Sequence, residues 1–473
     1  MRGRVAAIVL AAGQARRFGG GKLRATIDGR PILQHVLDSL TSAGIPDPIV
    51  VVDPRSGVDP AVDWSLTRRV DNEDPGRGLA TSLRLGWAAA LEDAPDVVAV
   101  VVVLGDQPLL DPGVVRTMVA APLDPHRPVI IARHADGARN PVRLELEAAP
   151  LVAAAAGDRG LGAMLDARPD LVRSIEVEVG NPDIDSRSDL AALLVERWSA
   201  RVEGNAEQVD RMREAPDGCD FYATVSRTFV ADPGREDDPV LHAVLARARP
   251  DDRWLDIGAG AGRYALPVAR RVRRVVAVDP SDSMLRALTA SMAADGVTNI
   301  DVLAGRWPPD TALRDSLGPD PIADVALIAH VGYDVAGIGP FLDALEGAAG
   351  RECIAVLMAE SPASIAAPFW PIVHGEERVP LPALAQFTEL LEARGSAPRV
   401  LRVKGERRRW TDREELLGFL RRQLWTVPDS PADSRLVEAV DGTAAAGADG
   451  TLQLPGAEPL DIGVVTWSPV ESR

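Results

Sequence analysis

The sequence predicts an α/β protein built as two three-layer αβα domains. Three observations lead there. The chain has 473 residues, more than one ordinary hydrophobic core supports, and a length prior gives about two to four domains. Strands that are apolar throughout, above all Val97–Leu104, alternate with helical segments, as parallel strands covered on both faces do. Two glycine-rich loops, Ala11–Lys22 and Gly258–Gly262, each follow an apolar strand, one in each half.

The elements follow in order. Val5–Leu10 is a strand that empties into Ala11-Ala12-Gly13-Gln14-Ala15-Arg16-Arg17-Phe18-Gly19-Gly20-Gly21-Lys22. Pro31–Leu40 is an amphipathic helix with proline at its start. Ile49–Val52 is a strand, Ala80–Leu91 a helix, and Val97–Leu104 a central strand ending at Gly105-Asp106-Gln107-Pro108. Val129–Ala132 and Ser174–Val179 are further strands, the second leading to Asp183-Ile184-Asp185-Ser186, and a helix over Ser188–Trp198 closes the first domain, residues 1–198. The polar segment 199–217 lacks apolar periodicity and reads as a linker, part of it helical.

The second domain, 218–473, repeats the strand–helix logic without repeating the sequence. Trp254–Ile257, Val275–Val278, Ala323–Ile328 and Cys353–Met358 are strands, and Arg263–Ala269 and Asp282–Asp295 are helices. Arg399–Val403 and Ile462–Trp467 are late strands separated by a helix at Asp412–Gln423, and the Ala- and Gly-rich Gly442–Gly450 reads as a flexible excursion.

Composition excludes several classes. Apolar residues are 46% of the chain, enough to fill cores, so disorder is excluded. The formal charge of -17 opposes a nucleic-acid surface, which needs a concentrated basic face. The only cysteines are Cys219 and Cys353; two free thiols in a reducing cytosol are the simpler reading, one disulfide the alternative. The apolar run at the N-terminus is too short for a secretory signal, and none approaches the roughly 18 residues of a membrane span. The expectation is a cytoplasmic protein.

The first loop has the chemistry of phosphate binding. Glycines let backbone N–H groups approach phosphate oxygens, and Arg17 and Lys22 add mobile positive charge. The spacing differs from the P-loop, since Leu23 follows Lys22. Asp106, at the mouth of a buried strand, suits Mg²⁺, which takes one or two protein carboxylates besides phosphates. Asp185 is the candidate second ligand, with Asp183 competing for the role.

Leu10-Ala11-Ala12-Gly13…Arg17-Phe18-Gly19…Lys22, Leu104-Gly105-Asp106-Gln107-Pro108 and Asp183-Ile184-Asp185-Ser186 with Asp189-Leu190 together carry a resemblance. Asn72…Gly76…Ser82, Arg139-Asn140-Pro141 and Gly157-Asp158-Arg159-Gly160 add to it. Over about residues 4–195 the chain resembles MobA-like nucleotidyltransferases, and within them most resembles molybdenum cofactor cytidylyltransferases. The resemblance implies a nucleotide-diphospho-sugar-transferase-like, Rossmann-type fold. It also implies Mg²⁺-dependent transfer of CMP from CTP to molybdopterin. Arg17, Lys22 and Asp106 would be catalytic. Ala11, Ala12, Gly13, Gly19, Lys22, Asn72, Gly76 and Ser82 would border the nucleotide, and Arg139 and Asn140 the acceptor. Asp106 and Asp185 would hold the metal. Ala-Ala-Gly at 11–13 tilts the choice to CTP over GTP; GTP, or a sugar-phosphate acceptor, is the alternative. Implied partners are small molecules, with transient contact to molybdoenzymes or cofactor-biosynthesis proteins. Ser186 replaces the threonine usual at its position. His35 lies inside a helix and reads as structural.

In the second half, Asp256-Ile257-Gly258-Ala259-Gly260-Ala261-Gly262 departs from the dinucleotide fingerprint, because its third glycine falls one position early. With Val276–Asp279 and Ala323–Ile328 it resembles class I S-adenosylmethionine-dependent methyltransferases. The resemblance implies that fold, with Asp256, Gly258, Gly260, Gly262 and Asp279 around S-adenosylmethionine and Asp279 on the ribose. His330 and Tyr333, just past the fourth strand, are candidates for the methyl-acceptor pocket. Gly305-Arg306-Trp307 stands where family members often carry an acid for adenine, with Asp301 nearby. A scaffold domain without catalysis is the rival reading.

Overall fold

The computed structural model describes residues 3–92, 94–157, 161–214, 230–405, 407–447, 450–454 and 459–469. The chain divides into two compact units, Met1–Leu190 and Ala191–Arg473. Both are α/β with mixed sheets.

The first unit has one seven-stranded sheet. Its strands are β1 (Arg4–Ala11), β2 (Ile49–Val52), β3 (Arg68–Asp71), β4 (Val97–Leu104), β5 (Val129–His134), β6 (Val142–Glu145) and β7 (Val172–Val177). Their spatial order is β3-β2-β1-β4-β6-β5-β7. β1 pairs in parallel with β2 and β4, Leu10 lying opposite Leu104. Strand order therefore reverses between β1 and β4, and at such a switch point α/β sheets open a crevice beyond their carboxyl ends. The helix Leu79–Leu91 packs on β1 and β2 through Leu83 and Trp87. Gly86 permits the close approach: a Cβ there would meet Ile8 Cγ2 at 2.5 Å. Met118 of the helix Pro112–Ala120 packs with Ile130 and Ala132.

The sequence reading did not include β3, β6 or the helix Pro112–Ala120. β6 runs antiparallel to both neighbours and reads Val-Arg-Leu-Glu, a pattern that looks half-exposed. Its charges are nevertheless buried. Glu145 accepts from Arg143 Nη2 at 2.9 Å, from Arg173 Nη2 at 2.5 Å and from the Asp124 amide at 2.9 Å. Arg143 Nη1 donates to the Met118 and Ala121 carbonyls, each at 2.6 Å. Desolvation still lowers the pKa of Arg143 despite its partner Glu145.

The second unit repeats the plan with β8 (Arg253–Ile257), β9 (Arg274–Asp279), β10 (Ile300–Ala304), β11 (Ala323–Ala329), β12 (Ala349–Met358), β13 (Arg399–Val403) and β14 (Ile462–Trp467). Their order is β10-β9-β8-β11-β12-β14-β13, with β14 antiparallel to β12 and β13. The switch point falls between β8 and β11. A second core lies apart from the sheet core, joining Trp370, Trp410, Leu416, Leu420, Leu436 and Val209. It is built from helical insertions around β13, among them Arg413–Leu424 and Pro431–Thr443.

Two expected irregular segments are ordered. Helix Arg187–Met212 runs through most of the polar stretch 199–217, of which 215–217 lie outside the described residues. Trp198 Nε1 donates to the Val335 carbonyl at 3.0 Å, and Asn205 Nδ2 to that of Val379 at 2.6 Å. These side chains tie the helix to the second unit, whose boundary falls at Ala191. The Gly442–Gly450 excursion instead begins in the helix Pro431–Thr443, and Ala445–Ala446 pairs with Leu452–Gln453; 448 and 449 lie outside the described residues. Cys353 is a buried free thiol, and Cys219 lies outside the described residues. No helix among the described residues is long and apolar enough to cross a membrane.

Candidate functional site

The first site forms where β1 and β4 end together. Gly105 N–H bonds the Leu10 carbonyl at 2.9 Å, so the glycine loop and Asp106 leave the sheet side by side. Ile184 N–H bonds the Asp106 carbonyl at 3.0 Å and brings Asp183 and Asp185 to the same mouth. A reciprocal cap fixes Asp185: Asp189 accepts from the Asp185 and Ser186 amides at 3.0 and 2.7 Å, and Ser186 Oγ accepts from the Asp189 amide at 3.2 Å. Serine thus serves where threonine was expected.

At the centre stands Lys22. Gly19, Gly20 and Gly21 adopt φ of 84, 94 and 70°, a path open to glycine. That path turns Lys22 inward, leaving it 8% exposed. Its Nζ lies 2.6 Å from Asp106 Oδ2 and 3.3 Å from Asp185 Oδ1. Burial would lower the lysine pKa, but Asp106 and then Asp185 outweigh it and raise the value above normal. Arg17 sits 3.7 Å from Asp185 Oδ2 with 82% of its side chain exposed, a weak pair in water. Asp183 is exposed as a residue, yet partial desolvation and the charges of Asp106 and Asp185 push its pKa to about 6. No group of three or more His, Cys, Asp or Glu suited to a metal occurs among the described residues. The site offers two carboxylates, which fits Mg²⁺ when phosphates and water complete the shell.

Not every predicted nucleotide residue faces outward. The Gly19 and Gly20 amides bond back to the Arg16 and Ala15 carbonyls at 3.3 and 3.2 Å, so they shape the loop and are not free for phosphate. Ala11 and Ala12 are buried, whereas Gly13 is exposed and a Cβ there would meet nothing within 4 Å. Asn72 and Ser82 are buried and bonded to each other at 2.9 Å; they brace the 72–82 segment. That segment reaches the loop, since a Cβ on Gly76 would lie 3.8 Å from Gln14 Nε2. Arg139 pairs with Asp166 at 2.5 Å on the surface. The Asn140 carbonyl accepts from Asn181 Nδ2 at 3.3 Å, and Gln107 Nε2 donates to the Asn181 carbonyl at 3.0 Å. Gln107 and Asn181 therefore link the Arg139–Asn140 turn to Asp106. The sequence reading did not assign them roles, although the position of Gln107 beside Asp106 was the available signal. His35 Nε2 lies 2.8 Å from the Ile27 carbonyl, within the fold. Asp158, Arg159 and Gly160 lie outside the described residues.

The second site lies at the β8–β11 switch point. Gly258, Gly260 and Gly262 have φ of 72, 53 and 88°. Side chains are excluded there: a Cβ on Gly258 would meet Val331 Cγ2 at 2.3 Å, and one on Gly262 would meet Leu288 Cδ1 at 2.5 Å. Asp279 accepts from the Gly260 and Ser281 amides, each at 2.8 Å, and so holds the turn itself. Asp256 is sealed from solvent and lacks a well-formed hydrogen bond, the Ala265 backbone being the group that favours its charge. Burial, then the charge of Asp279, push its pKa to about 7.

His330 has φ of 57°, and its enclosed Nδ1 lacks a partner. Burial, then the Arg263 charge, lower its pKa to about 4, so the ring is neutral. Tyr333 is buried and its hydroxyl accepts from the Met358 amide at 2.6 Å, bracing the end of β12; burial raises its pKa. Asp301 is engaged by Arg274 Nη2 at 2.6 Å, away from an adenine role.

Comparison with known proteins matches this geometry. Residues 7–172 match the MobA-like NTP transferase domain, and residues 255–316 the methyltransferase domain. A probable molybdenum cofactor guanylyltransferase from Thermococcus kodakarensis is 32% identical over 136 residues, covering 28% of this chain and 62% of that protein. A 2-C-methyl-D-erythritol 4-phosphate cytidylyltransferase from Frankia casuarinae is 39% identical over 130 residues, 27% of this chain and 47% of that protein. In the second half, a 23S rRNA (uracil(1939)-C(5))-methyltransferase from Photobacterium angustum is 45% identical over 51 residues, 11% of this chain and 23% of that protein. The chain thus spans less than two thirds of each of these relatives. The crystal structure of Rv0371c from Mycobacterium tuberculosis shares 27% identity, covering 41% of this chain and 98% of that one at a TM-score of 0.37. The chain therefore joins an N-terminal MobA-like NTP transferase domain to a C-terminal methyltransferase domain.

Proposed function

We propose that the first unit transfers CMP from CTP to molybdopterin with release of pyrophosphate, and that the second transfers a methyl group from S-adenosylmethionine to a small-molecule acceptor. One observation carries the first half: Lys22, Asp106 and Asp185 converge at the strand mouth, with Nζ 2.6 and 3.3 Å from the two carboxylates. Hard oxygen donors suit Mg²⁺.

Asp106 and Asp185 would hold the metal, which would supply Lewis acidity to offset charge on the phosphates. Lys22 and Arg17 lie on the triphosphate side. The acceptor's terminal phosphate oxygen bonds to the α-phosphorus in line while the α–β P–O bond breaks and pyrophosphate leaves. Lys22 stabilises the charge that grows on the leaving group, and the loop orients the reacting atoms. An ionised phosphate nucleophile needs no base. The Asn140–Asn181–Gln107 chain of hydrogen bonds supports placing the acceptor beside Asp106.

In the second unit S-adenosylmethionine supplies the electrophilic methyl group. The Gly258–Gly262 turn gives its backbone close access, and Asp279, at the end of the next strand, takes the ribose hydroxyls. The acid Asp256, two residues before the turn, favours a cationic ligand group nearby. Neutral His330 accepts a proton where the acceptor must lose one.

Ala11-Ala12-Gly13 supports cytidine. GTP remains the competing donor, because the relatives include both guanylyl- and cytidylyltransferases. Thermal shift with Mg²⁺ separates them: at 100 times its dissociation constant a ligand adds about 2.7 kcal/mol to the unit that binds it. CTP is expected to raise the first unit's melting temperature and GTP not to; a shift with GTP alone overturns the cytidylyl reading.

A further inference from the structure

We propose that Lys22 is the resident counter-ion of the acid pair. Its ammonium occupies the metal's place in the free site, and metal and nucleoside triphosphate together displace it. The inference rests on the nucleotidyl-transfer reading and adds an order of events to it.

The geometry is that of a single cation shared by two anions. Lys22 Nζ lies 2.6 Å from Asp106 Oδ2 and 3.3 Å from Asp185 Oδ1, while 8% of the residue is exposed. The loop's other nearby cation, Arg17, is largely in water and touches only Asp185, at 3.7 Å. Neutralising the pair in the free site therefore falls to Lys22. Asp106 and Asp185 would hold the divalent ion, so it and the ammonium compete for the same two carboxylates. Two cations cannot share that space, so the ammonium must leave.

The residue type agrees. Of 52 basic residues in this chain only Lys22 and Lys404 are lysine; the rest are arginine. A guanidinium is a planar fork suited to one carboxylate, whereas an ammonium is a compact charge on a flexible stem. The flexible stem lets one compact charge sit between two acids and then swing away. The loop that carries it is open to solvent at Gly19 and Gly20.

Energetic coupling follows. Metal alone must expel Lys22 into a site without a new anion. With a triphosphate present the ammonium exchanges carboxylates for phosphate. Each ligand therefore raises the affinity for the other by the same factor.

The test uses the full chain and the scarcity of lysine. Reductive methylation followed by mass spectrometry reads Lys22 against exposed Lys404 in the same sample. In the free protein Lys22 is expected to be protected. Saturating Mn²⁺ alone raises its labelling, Mn²⁺ with CTP protects it again, and Lys404 is unchanged throughout. In parallel, Lys22→Met is expected to bind Mn²⁺ alone about tenfold more tightly than wild type, read by electron paramagnetic resonance. Equal or weaker binding by a folded variant overturns the proposal. So does bound Mn²⁺ that leaves wild-type Lys22 labelling unchanged, an outcome that does not require the variant to fold. Either result leaves the nucleotidyl-transfer reading standing. If the wild type binds no Mn²⁺ with or without CTP, that reading itself falls.

Discussion

Asp106→Asn keeps the side chain's shape and removes its charge at the strand mouth. Asp106 is the nearer of the two anions on Lys22, at 2.6 Å against 3.3 Å for Asp185, and the better shielded, at 22% against 51% exposure. Two effects follow, and their sizes differ. On stability, Lys22 keeps Asp185, so the loss stays near the low end for a charged hydrogen bond, about 1–2 kcal/mol. For a unit of this size that lowers the melting temperature by about 2–8 °C. On catalysis, the substitution removes one of two metal carboxylates where charge develops, and the rate should fall about 100- to 1,000-fold. Pyrophosphate release with CTP, Mg²⁺ and molybdopterin measures the second effect, and thermal unfolding the first. Unchanged pyrophosphate release refutes the metal role. A collapse in melting temperature as large as that of a core cavity would make Asp106 a structural residue instead.

Three further substitutions test the surrounding structure. Asp256→Asn tests burial of an acid: the folded pKa of about 7 lies above the ordinary 3.8, so the native state binds more protons between those values. Wild type then loses stability as pH rises from about 4 to 7. The variant should be the more stable above pH 7 and equal below pH 4, seen by tryptophan fluorescence, since seven of nine tryptophans lie in the second unit; a variant less stable at pH 8 contradicts this. Gly262→Ala places a side chain at φ +88° and against Leu288. It should cost about 1–3 kcal/mol and abolish S-adenosylmethionine binding by calorimetry; wild-type affinity would mean the turn does not face the ligand. Glu145→Gln leaves Arg143 and Arg173 without their shared anion. Urea denaturation should show a loss of about 3–5 kcal/mol, and a loss below 1 kcal/mol would show that the backbone carbonyls alone hold Arg143.

Strands buried on both faces were legible because their apolar runs have sharp ends. Ile49–Val52, Val97–Leu104 and Ile462–Trp467 form where the sequence places them. β6 was not legible, because Arg143 and Glu145 neutralise each other inside the fold and their alternation mimics an exposed strand. The helix through 199–212 was hidden in the same way, since its polar Asn205 and Gln208 find buried partners on distant carbonyls.

The sequence by itself determined two glycine turns at strand exits, the acids beyond β4 and β9, and hence two α/β domains with two kinds of site. These are local consequences of residue type: glycine readily takes the positive φ of the turns, and apolar runs fill the central strands. Only the tertiary structure decided which groups meet. It joined Lys22 to acids 84 and 163 residues away, turned the Gly19 and Gly20 amides inward, and sealed Asp256 from solvent. The reason is that strand order and parallel register set which chain ends share a crevice. Those depend on contacts far apart in sequence, which no local pattern encodes.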